Sequence, residues 1–223
     1  MKDKSVMIAI QPYWVFIIIA RKMGWQIDKE KTIEVRKSFP KDESWNRKAE
    51  IYCSKDKKSF NLIPKEYQLL MKKFLGKVIG HFTCDIVREW KYLNGLNNEN
   101  EKEYWIVLAD VHATCLTYDE IKEYGKGKNL YGWHISDLVI YDKPKELSEF
   151  RTPCKMGDYP CCGICDYAVH GMDGDLIDCD TSLTRPPQSW CYYYTWLKDA
   201  LKEQQKNGRT IWYDSENKAY YLI

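Results

Sequence analysis

The chain has 223 residues, of which 44% are hydrophobic and 30% charged, with a formal net charge of +2 and a mean hydropathy of −0.57. This length suits one elaborated domain, and the composition provides enough apolar side chains for a core beneath a polar surface. So small a net charge does not indicate nucleic-acid binding, because contacts with many phosphates would require a stronger positive charge.

The longest apolar run covers residues 15–20, which is far shorter than the roughly 20 residues that a membrane-spanning helix needs. The start of the chain also lacks the basic region, apolar run and small-residue cleavage site of a secretory signal. We therefore expect a cytoplasmic protein with no membrane partner.

The N-terminal part predicts a strand, a helix and a second strand. Residues 6–10 are apolar, and Pro12 then suits the first turn of a helix that extends to Met23 and stops at Gly24. Residues 31–36 alternate between polar and apolar side chains, which is typical of a strand with one polar face. That face would carry Thr32, Glu34 and Arg36.

The middle of the chain predicts further short elements separated by polar turns. A charged stretch over residues 37–48 reads as a turn region, and residues 94–103 read as an exposed loop. Between these two stretches the sequence predicts a strand at 49–53, a helix at 64–75 and a strand at 77–87. After the second stretch it predicts a strand at 104–108.

The C-terminal half begins with a helix whose start has a clear signal. Thr117 and Glu120 have the spacing of a capping box, and this helix should end near Gly125. The elements predicted after it are a strand at 132–141 closed by Pro144, a strand at 189–195, a helix at about 196–206 and a hairpin around 215–217.

Four segments, in the same order, resemble the ASCH family of the PUA-like superfamily. Residues 31–36 (KTIEVR) resemble its Lys-Thr-x-Glu-x-Arg signature, and residues 132–138 and 185–190 resemble versions found in phage and prophage members. The fourth segment is IAIQP at residues 8–12. The resemblance implies a mixed α/β, mainly β fold: a small, partly open barrel flanked by short helices over residues 1–195. It does not cover residues 196–223, which the local pattern predicts as a helix and hairpin extension.

The resemblance also implies a function and a set of site residues. In relatives, the cleft of the barrel binds RNA or modified nucleosides, so the implied partner is RNA or a modified nucleoside or nucleotide. The implied setting is the cytoplasm of a bacterial or phage-infected host cell. The candidate ligand-binding residues are Gln11, Trp14, Lys31, Thr32, Glu34, Arg36 and Ser189.

Two further functions stay open. Lys31 and Glu34 could transfer protons if the protein is a small hydrolase of a modified nucleoside, or a ribonuclease. Some relatives hydrolyse acetylated cytidine with a lysine and a threonine three positions later, whereas this chain has Glu34 there, which favours binding. The third function is interaction with a host protein through residues 94–103 and the C-terminal hairpin. A simpler role for Glu34 and Arg36 is a surface ion pair.

Nine cysteines are present, and five of them lie between residues 154 and 179. Cys162 and Cys165 have the spacing with which two thiolates bind one tetrahedral zinc ion, and Cys154 and Cys179 can complete the site. We expect a structural zinc, because this many thiolates can close the coordination shell. Cys161 competes with Cys162, and a redox dithiol or unligated thiols are the alternatives.

The remaining cysteines and the isolated histidine have simpler expected roles. His134 is expected to be a structural residue, and Trp190 to belong to the core. The four cysteines outside the cluster are expected to be small core residues; they are Cys53, Cys84, Cys115 and Cys191.

Overall fold

The computed structural model describes residues 4–41, 45–94, 102–151, 183–195, 211–214 and 219–222. The chain divides into two compact units, Met1–Lys145 with Pro187–Trp190, and Glu146–Pro186 with Cys191–Ile223. Strands outnumber helices in the described residues, which confirms a mixed α/β, mainly β fold. The cysteine-rich loop and the predicted helix at 196–206 lie outside the described residues, and the predicted domain boundary at residue 195 stays a prediction.

The larger sheet of the first unit begins with the N-terminal strand. β1 pairs with β3 in parallel, with Ile8 opposite Ile51, and the other two pairings are antiparallel. Ile8 and Ile51 are fully buried, and so are the residues that precede them, Met7 and Glu50, which shows that both faces of the sheet are covered here. In order across the sheet, the strands are β1 (Lys4–Ile10), β3 (Trp45–Cys53), β4 (Val78–Thr83) and β9 (Ser136–Lys145).

The second sheet carries the signature-like segment. Its strands are β2 (Ile33–Arg36), β8 (Leu130–His134) and β5 (Val87–Trp90), all antiparallel. One face of this sheet packs against the helical residue Ile121, and the shared core includes Ile33 and Val35. The strand orders of both sheets are linear, so the described strands do not form a closed barrel. A small antiparallel pair, β6 (Tyr92–Asn94) and β7 (Lys102–Tyr104), completes the strands of this unit.

Helix α1 (Pro12–Ala20) is apolar around its whole circumference and is almost completely buried. Pro12 is at its first turn, as predicted. The regular helix ends at Ala20, three residues before the predicted Met23. The N–H of Trp25 donates to the carbonyl of Ala20 at 2.9 Å, and Gly24 adopts a φ of 69°. The sequence predicted that Gly24 would terminate this helix, and a glycine with positive φ commonly does so.

Three of the other helices follow from clear local signals. Asp56 caps α2 (Lys57–Phe60), a short helix that was not predicted, by accepting from the Ser59 N–H. α3 (Lys65–Lys72) lies within the predicted range, and α5 (Tyr118–Gly125) has the predicted capping box. Among the described residues, no helix combines the length and apolar content needed to cross a bilayer.

The second unit has a short 3₁₀ helix, Leu147–Glu149, followed by two antiparallel strand pairs. Phe150 packs edge-on against Tyr193, with ring centroids 5.1 Å apart. The predicted C-terminal hairpin is confirmed as a strand pair, although its turn lies outside the described residues. The strands are β10 (Phe150–Arg151), β11 (Trp190–Thr195), β12 (Ile211–Asp214) and β13 (Ala219–Leu222).

Four predicted elements are wrong. The predicted strand at 77–87 covers β4 and the first residue of β5, which belong to different sheets. The apolar stretch at 104–108 is not a strand; it leads into helix α4 (Leu108–Thr114), and Val107 and Leu108 are exposed rather than part of the core. The stretch at 132–141 is two strands, β8 and β9, because the chain turns at Asp137, whose φ is 46°. Pro144 does not end β9, since a proline is tolerated on an edge strand. Part of the predicted turn region at 37–48 belongs to β3.

The buried thiols of Cys53 and Cys84 make stability depend on alkaline pH. Burial raises the pKa of each thiol to about 12 from 9.0. The unfolded chain therefore loses these protons first, and stability should fall as the pH rises from about 9 to 12. Urea titrations across this range should show a shallower fall for Cys53→Ala than for the wild type. Equal slopes would show that thiol ionisation does not contribute.

Candidate functional site

Lys31, Glu34 and Arg36 form a buried ion triad. The Glu34 carboxylate lies between the two cations, with Oε2 3.4 Å from Lys31 Nζ and Oε1 3.0 Å from Arg36 Nη2. All three residues are less than 10% exposed. The predicted polar face of β2 therefore exists but is covered, and the simpler prediction of a surface ion pair is wrong.

The ammonium group of Lys31 makes three kinds of contact. The ammonium donates to the carbonyl of Thr114 at 2.8 Å, lies 3.4 Å from the Glu34 carboxylate and stands 5.0 Å from the ring centre of Trp14. Burial lowers the pKa of Lys31, while Glu34 opposes this shift. The side chain thereby joins β2, α1 and the end of α4.

Arg36 connects the two sheets. Its Nη2 donates to the carbonyl of Ala9 on β1 at 2.6 Å while it contacts Glu34. Within the described residues, Glu34 Oε2, Arg36 Nε and the indole N–H of Trp133, which lies opposite Glu34 on β8, have no hydrogen-bond partner. The triad therefore fixes how the first unit is assembled.

A cavity of about 870 Å³ lies beside the triad, between the start of α1 and the end of α4. The Trp14 ring is part of its wall, and Tyr13 contacts Trp14 edge-on with ring centroids 5.0 Å apart. The backbone N–H of Tyr13 donates to Ser59 Oγ at 3.0 Å, which ties α1 to α2. The lining residues are Gln11, Tyr13, Trp14, Asp28, Lys29, Glu30, Ser59, Leu62, His112, Cys115, Leu116, Thr117 and Glu120.

The charges of the cavity wall are mostly negative. Asp28, Glu30 and Glu120 carry carboxylates, and Lys29 carries the opposing ammonium. Glu30 is paired with the exposed Arg21 at 2.6 Å, and Glu120 accepts from the N–H of Thr117 in the capping box of α5. The wall therefore offers polar and aromatic contacts but no cluster of cations for phosphate groups.

The structure brings together some of the residues predicted from the sequence. Gln11 and Trp14 line the cavity, while Lys31 is buried behind Trp14 and does not line it. Thr32 is held through its backbone, which pairs with Ala113 and Ile135. The carbonyl of Ser189 accepts from the Ala9 N–H at 3.0 Å.

Other residues with predicted roles differ in how far the structure agrees, and Trp190, which was expected in the core, does not belong to it. His134 Nδ1 lies 2.7 Å from Asp85, and the expected structural role of this histidine stays a prediction. Trp190 is half-buried, and its indole N–H donates to Ser38. Cys53 and Cys84 are buried, as expected, whereas Cys115 and Cys191 are half-buried.

Sequence reasoning missed the contribution of α4 to the site. His112 and Cys115 reach the cavity because residues 108–114 form a helix, and Cys115 then ends it with a φ of 60°. Burial raises the pKa of the Cys115 thiol, which keeps it protonated at neutral pH. A helical spacing from Leu108 to Val111 and Thr114 was the available signal.

No group of three or more His, Cys, Asp or Glu side chains within the described ranges is arranged to hold a metal ion. The predicted zinc ligands, Cys154, Cys162, Cys165 and Cys179, lie outside the described residues, so the zinc site stays a prediction.

A scan against known protein families and a search of curated proteins found no match. Among solved structures, the chain is similar to the crystal structure of ASCH from Zymomonas mobilis, with 15% identity and a TM-score of 0.43 over 92% of this chain and 96% of that one. It is also similar to a point mutant of that protein, with 14% identity and a TM-score of 0.42 over 92% and 97% of the two chains. Both solved structures carry the name of the family that the four sequence segments resemble.

Proposed function

We propose that the cavity beside the triad binds a nucleoside or a single unstacked base of RNA. The observation that carries this proposal is the Trp14 ring, which lies in the cavity wall with the buried ammonium of Lys31 held 5.0 Å from its centre. A ring held in this way loses little freedom when a base stacks on it, and such stacking contributes roughly 1–3 kcal/mol per base.

The size and polarity of the cavity support a nucleoside. Its volume of about 870 Å³ lies within the usual range of small-molecule sites. Gln11 is exposed at the N-terminal cap of α1, where its amide can both donate to and accept from a base edge. Ligand recognition would combine this amide with the aromatic wall formed by Tyr13 and Trp14.

The charge of the wall favours a nucleoside over a length of RNA backbone. Three carboxylates and one lysine would repel a chain of phosphates. If RNA is the natural partner, one base enters the cavity and the phosphates stay outside it. This is a narrower proposal than RNA binding in general.

A hydrolase with Lys31 and Glu34 as its proton-transfer pair has less support. The ammonium already donates to the Thr114 carbonyl and pairs with Glu34, and neither of the two buried side chains lines the cavity. Lys31 is better described as a positioning residue that holds Trp14 and the end of α4 in place.

Replacing Trp14 with alanine tests the proposal. Calorimetric titration with a panel of natural and acetylated nucleosides should identify a saturable ligand, and Trp14→Ala should weaken its binding about 5- to 150-fold. Trp105→Ala is the matched control, because Trp105 is half exposed and does not line the cavity. Equal affinities for both variants would overturn the proposal, and nucleoside hydrolysis during the titration would revive the hydrolase.

We further propose a structural zinc held by Cys154, Cys162, Cys165 and Cys179. Four thiolates provide the closed tetrahedral shell of a structural site. Elemental analysis of protein purified without added metal should find about one zinc per chain, and substituting Cys165 with serine should reduce this content. A zinc content near zero in the wild type would contradict the prediction.

A further inference from the structure

The connection between β3 and β4 carries an unusually large share of the positive charge of the chain. Residues 55–77, the lysine-rich segment, contain seven lysines and two carboxylates, which gives a formal net charge of +5. Since the whole chain has a net charge of +2, the remaining residues together carry −3. The small overall charge therefore conceals one strongly basic stretch.

The two ends of the lysine-rich segment meet at the edge of the strand pair. The Gly76 N–H donates to the carbonyl of Cys53 at 2.8 Å, and the Cys53 N–H donates to the carbonyl of Lys77 at 2.9 Å. The side chain of Lys55 crosses Gly76 so closely that an added Cβ would clash with its Cε. The segment therefore leaves and re-enters the sheet at one place, which keeps its charges in one region.

Most lysines of the segment are exposed and unpaired. Lys73 Nζ lies 4.8 Å from the ring centre of Phe74, and Lys77 is half-buried. The other five are exposed, and none of them forms a side-chain hydrogen bond or an ion pair with a described residue; they are Lys55, Lys57, Lys58, Lys65 and Lys72. These five ammonium groups are available to bind an anionic partner.

Helix α3 directs part of this charge outward. Lys65, Leu69 and Lys72 are four and three positions apart, so they share one face of the helix, and Leu69 is 76% exposed. The opposite face packs on α1, where the ring centre of Tyr67 lies 5.2 Å from that of Phe16. The outward face thus combines cations for phosphates with an apolar side chain for a sugar or base.

The lysine-rich segment also borders the nucleoside cavity. Ser59 and Leu62 belong to the segment and line the cavity, and Leu62 is 65% exposed, which places it at the rim. Ser59 accepts from the backbone N–H of Tyr13 at the start of α1. A nucleotide strand with one base in the cavity would therefore pass from the carboxylate-containing wall to the lysines beyond this rim.

We propose that the lysine-rich segment binds the phosphates of a single-stranded RNA, one base of which enters the cavity beside Trp14. This inference rests on the proposed function of the cavity, and it names RNA rather than a free nucleoside as the partner. The two surfaces meet different parts of the ligand, since the polar wall faces the base and the lysines face the backbone. An anionic lipid surface would also attract lysines with exposed leucines, but the adjoining cavity favours RNA.

Removal of three exposed lysines tests the inference. The lysine variant carries Lys58→Gln, Lys65→Gln and Lys72→Gln, and fluorescence anisotropy measures its binding to a labelled, mixed-sequence single-stranded RNA of roughly ten nucleotides. At about 0.1 M salt, its affinity should fall about 10- to 100-fold. The slope of log affinity against log salt should become shallower by about 2, because each phosphate contact contributes ~0.7.

The matched control removes the same charge outside the segment. Lys91→Gln, Lys128→Gln and Lys143→Gln replace three other exposed lysines, and this control variant should keep both the RNA affinity and the salt slope of the wild type. Equal losses in the lysine variant and the control variant would overturn the inference, since they would report only the overall charge. Circular dichroism verifies that both variants are folded.

Titration with nucleosides separates a failure of the segment from a failure of the cavity. The lysine variant should bind nucleosides as the wild type does, because none of the three replaced lysines lines the cavity. Unchanged RNA affinity in this variant would contradict the inference and leave the nucleoside cavity in place. If Trp14→Ala instead bound both nucleosides and RNA like the wild type, the proposed function would fail, while a loss in the lysine variant would still support the segment.

Vesicles of equal parts phosphatidylcholine and phosphatidylserine distinguish RNA from a lipid surface. We expect the wild type to bind the RNA more tightly than these vesicles. Vesicle binding that the lysine variant loses, together with no RNA binding by the wild type, would rule out the inference and assign the segment to an anionic membrane.

Discussion

Replacing Lys31 with methionine is expected to lower the free energy of unfolding by about 3–5 kcal/mol, the range measured when one partner of a buried ion network is removed. The substitution leaves the Glu34 carboxylate buried with Arg36 as its remaining cation, and it takes the donor away from the carbonyl of Thr114. Methionine keeps most of the side-chain volume, so the loss reports the charge and its hydrogen bonds. Urea unfolding followed by circular dichroism measures it.

Arg21→Met is the matched control for this experiment. Arg21 also forms an ion pair, with Glu30, but both side chains are mostly exposed. Exposed pairs contribute little because water screens them, so the unfolding midpoint should hardly move. If Lys31→Met behaved in the same way, the ammonium would have to be hydrated, and the buried triad would be the wrong description.

Replacing Trp133 with alanine is expected to cost about 3–5 kcal/mol of stability, as for other large aromatic residues in a core. Trp133 is fully buried on β8 and packs against Trp45 and Trp190, with ring centroids 5.4 and 6.2 Å away. Its removal leaves a cavity between three parts of the first unit. Chemical denaturation with a fluorescence readout measures the loss, because two of the three clustered indoles remain.

Trp133→Phe provides the informative comparison. Phenylalanine keeps a ring in the cluster and removes the indole N–H, which has no hydrogen-bond partner among the described residues. The loss of packing is then partly offset by removal of an unpaired donor, so this variant should be clearly more stable than the alanine variant. Equal losses of unfolding free energy for Trp133→Ala and Trp133→Phe would mean that the indole N–H has a partner, such as an ordered water.

Local signals predicted the parts of the fold that they control. Pro12 and Gly24 bound α1 and its terminal turn, and Thr117 with Glu120 begins α5, because these residues act on the backbone beside them. The apolar run at 104–108 was misleading, since a short run does not distinguish a strand from the approach to a helix. Strand order and the burial of Lys31 depend on distant residues, which one sequence does not reveal.

In the candidate site, too, features set by neighbouring residues were predicted, and features that depend on distant residues were not. The motif at residues 31–36 was predicted to line a ligand cleft, yet its three charged side chains are buried, and neighbouring residues form the cavity wall. Alternation along β2 indicated which side chains share a face, but what covers that face is decided by α1 and α4. Gln11 and Trp14 were found because they precede or begin α1, whereas the contribution of α4 was not predicted.

The hydrogen bond between Ala9 and Ser189 also affects how the chain folds during synthesis. About 180 residues separate the two partners, and a ribosome that adds 5–20 residues per second needs roughly 10–40 s to produce the second one. During that interval, β1 can pair with β3 along one edge, while its other edge still lacks this acceptor. A chaperone that protects nascent strand edges should therefore increase the yield of folded protein.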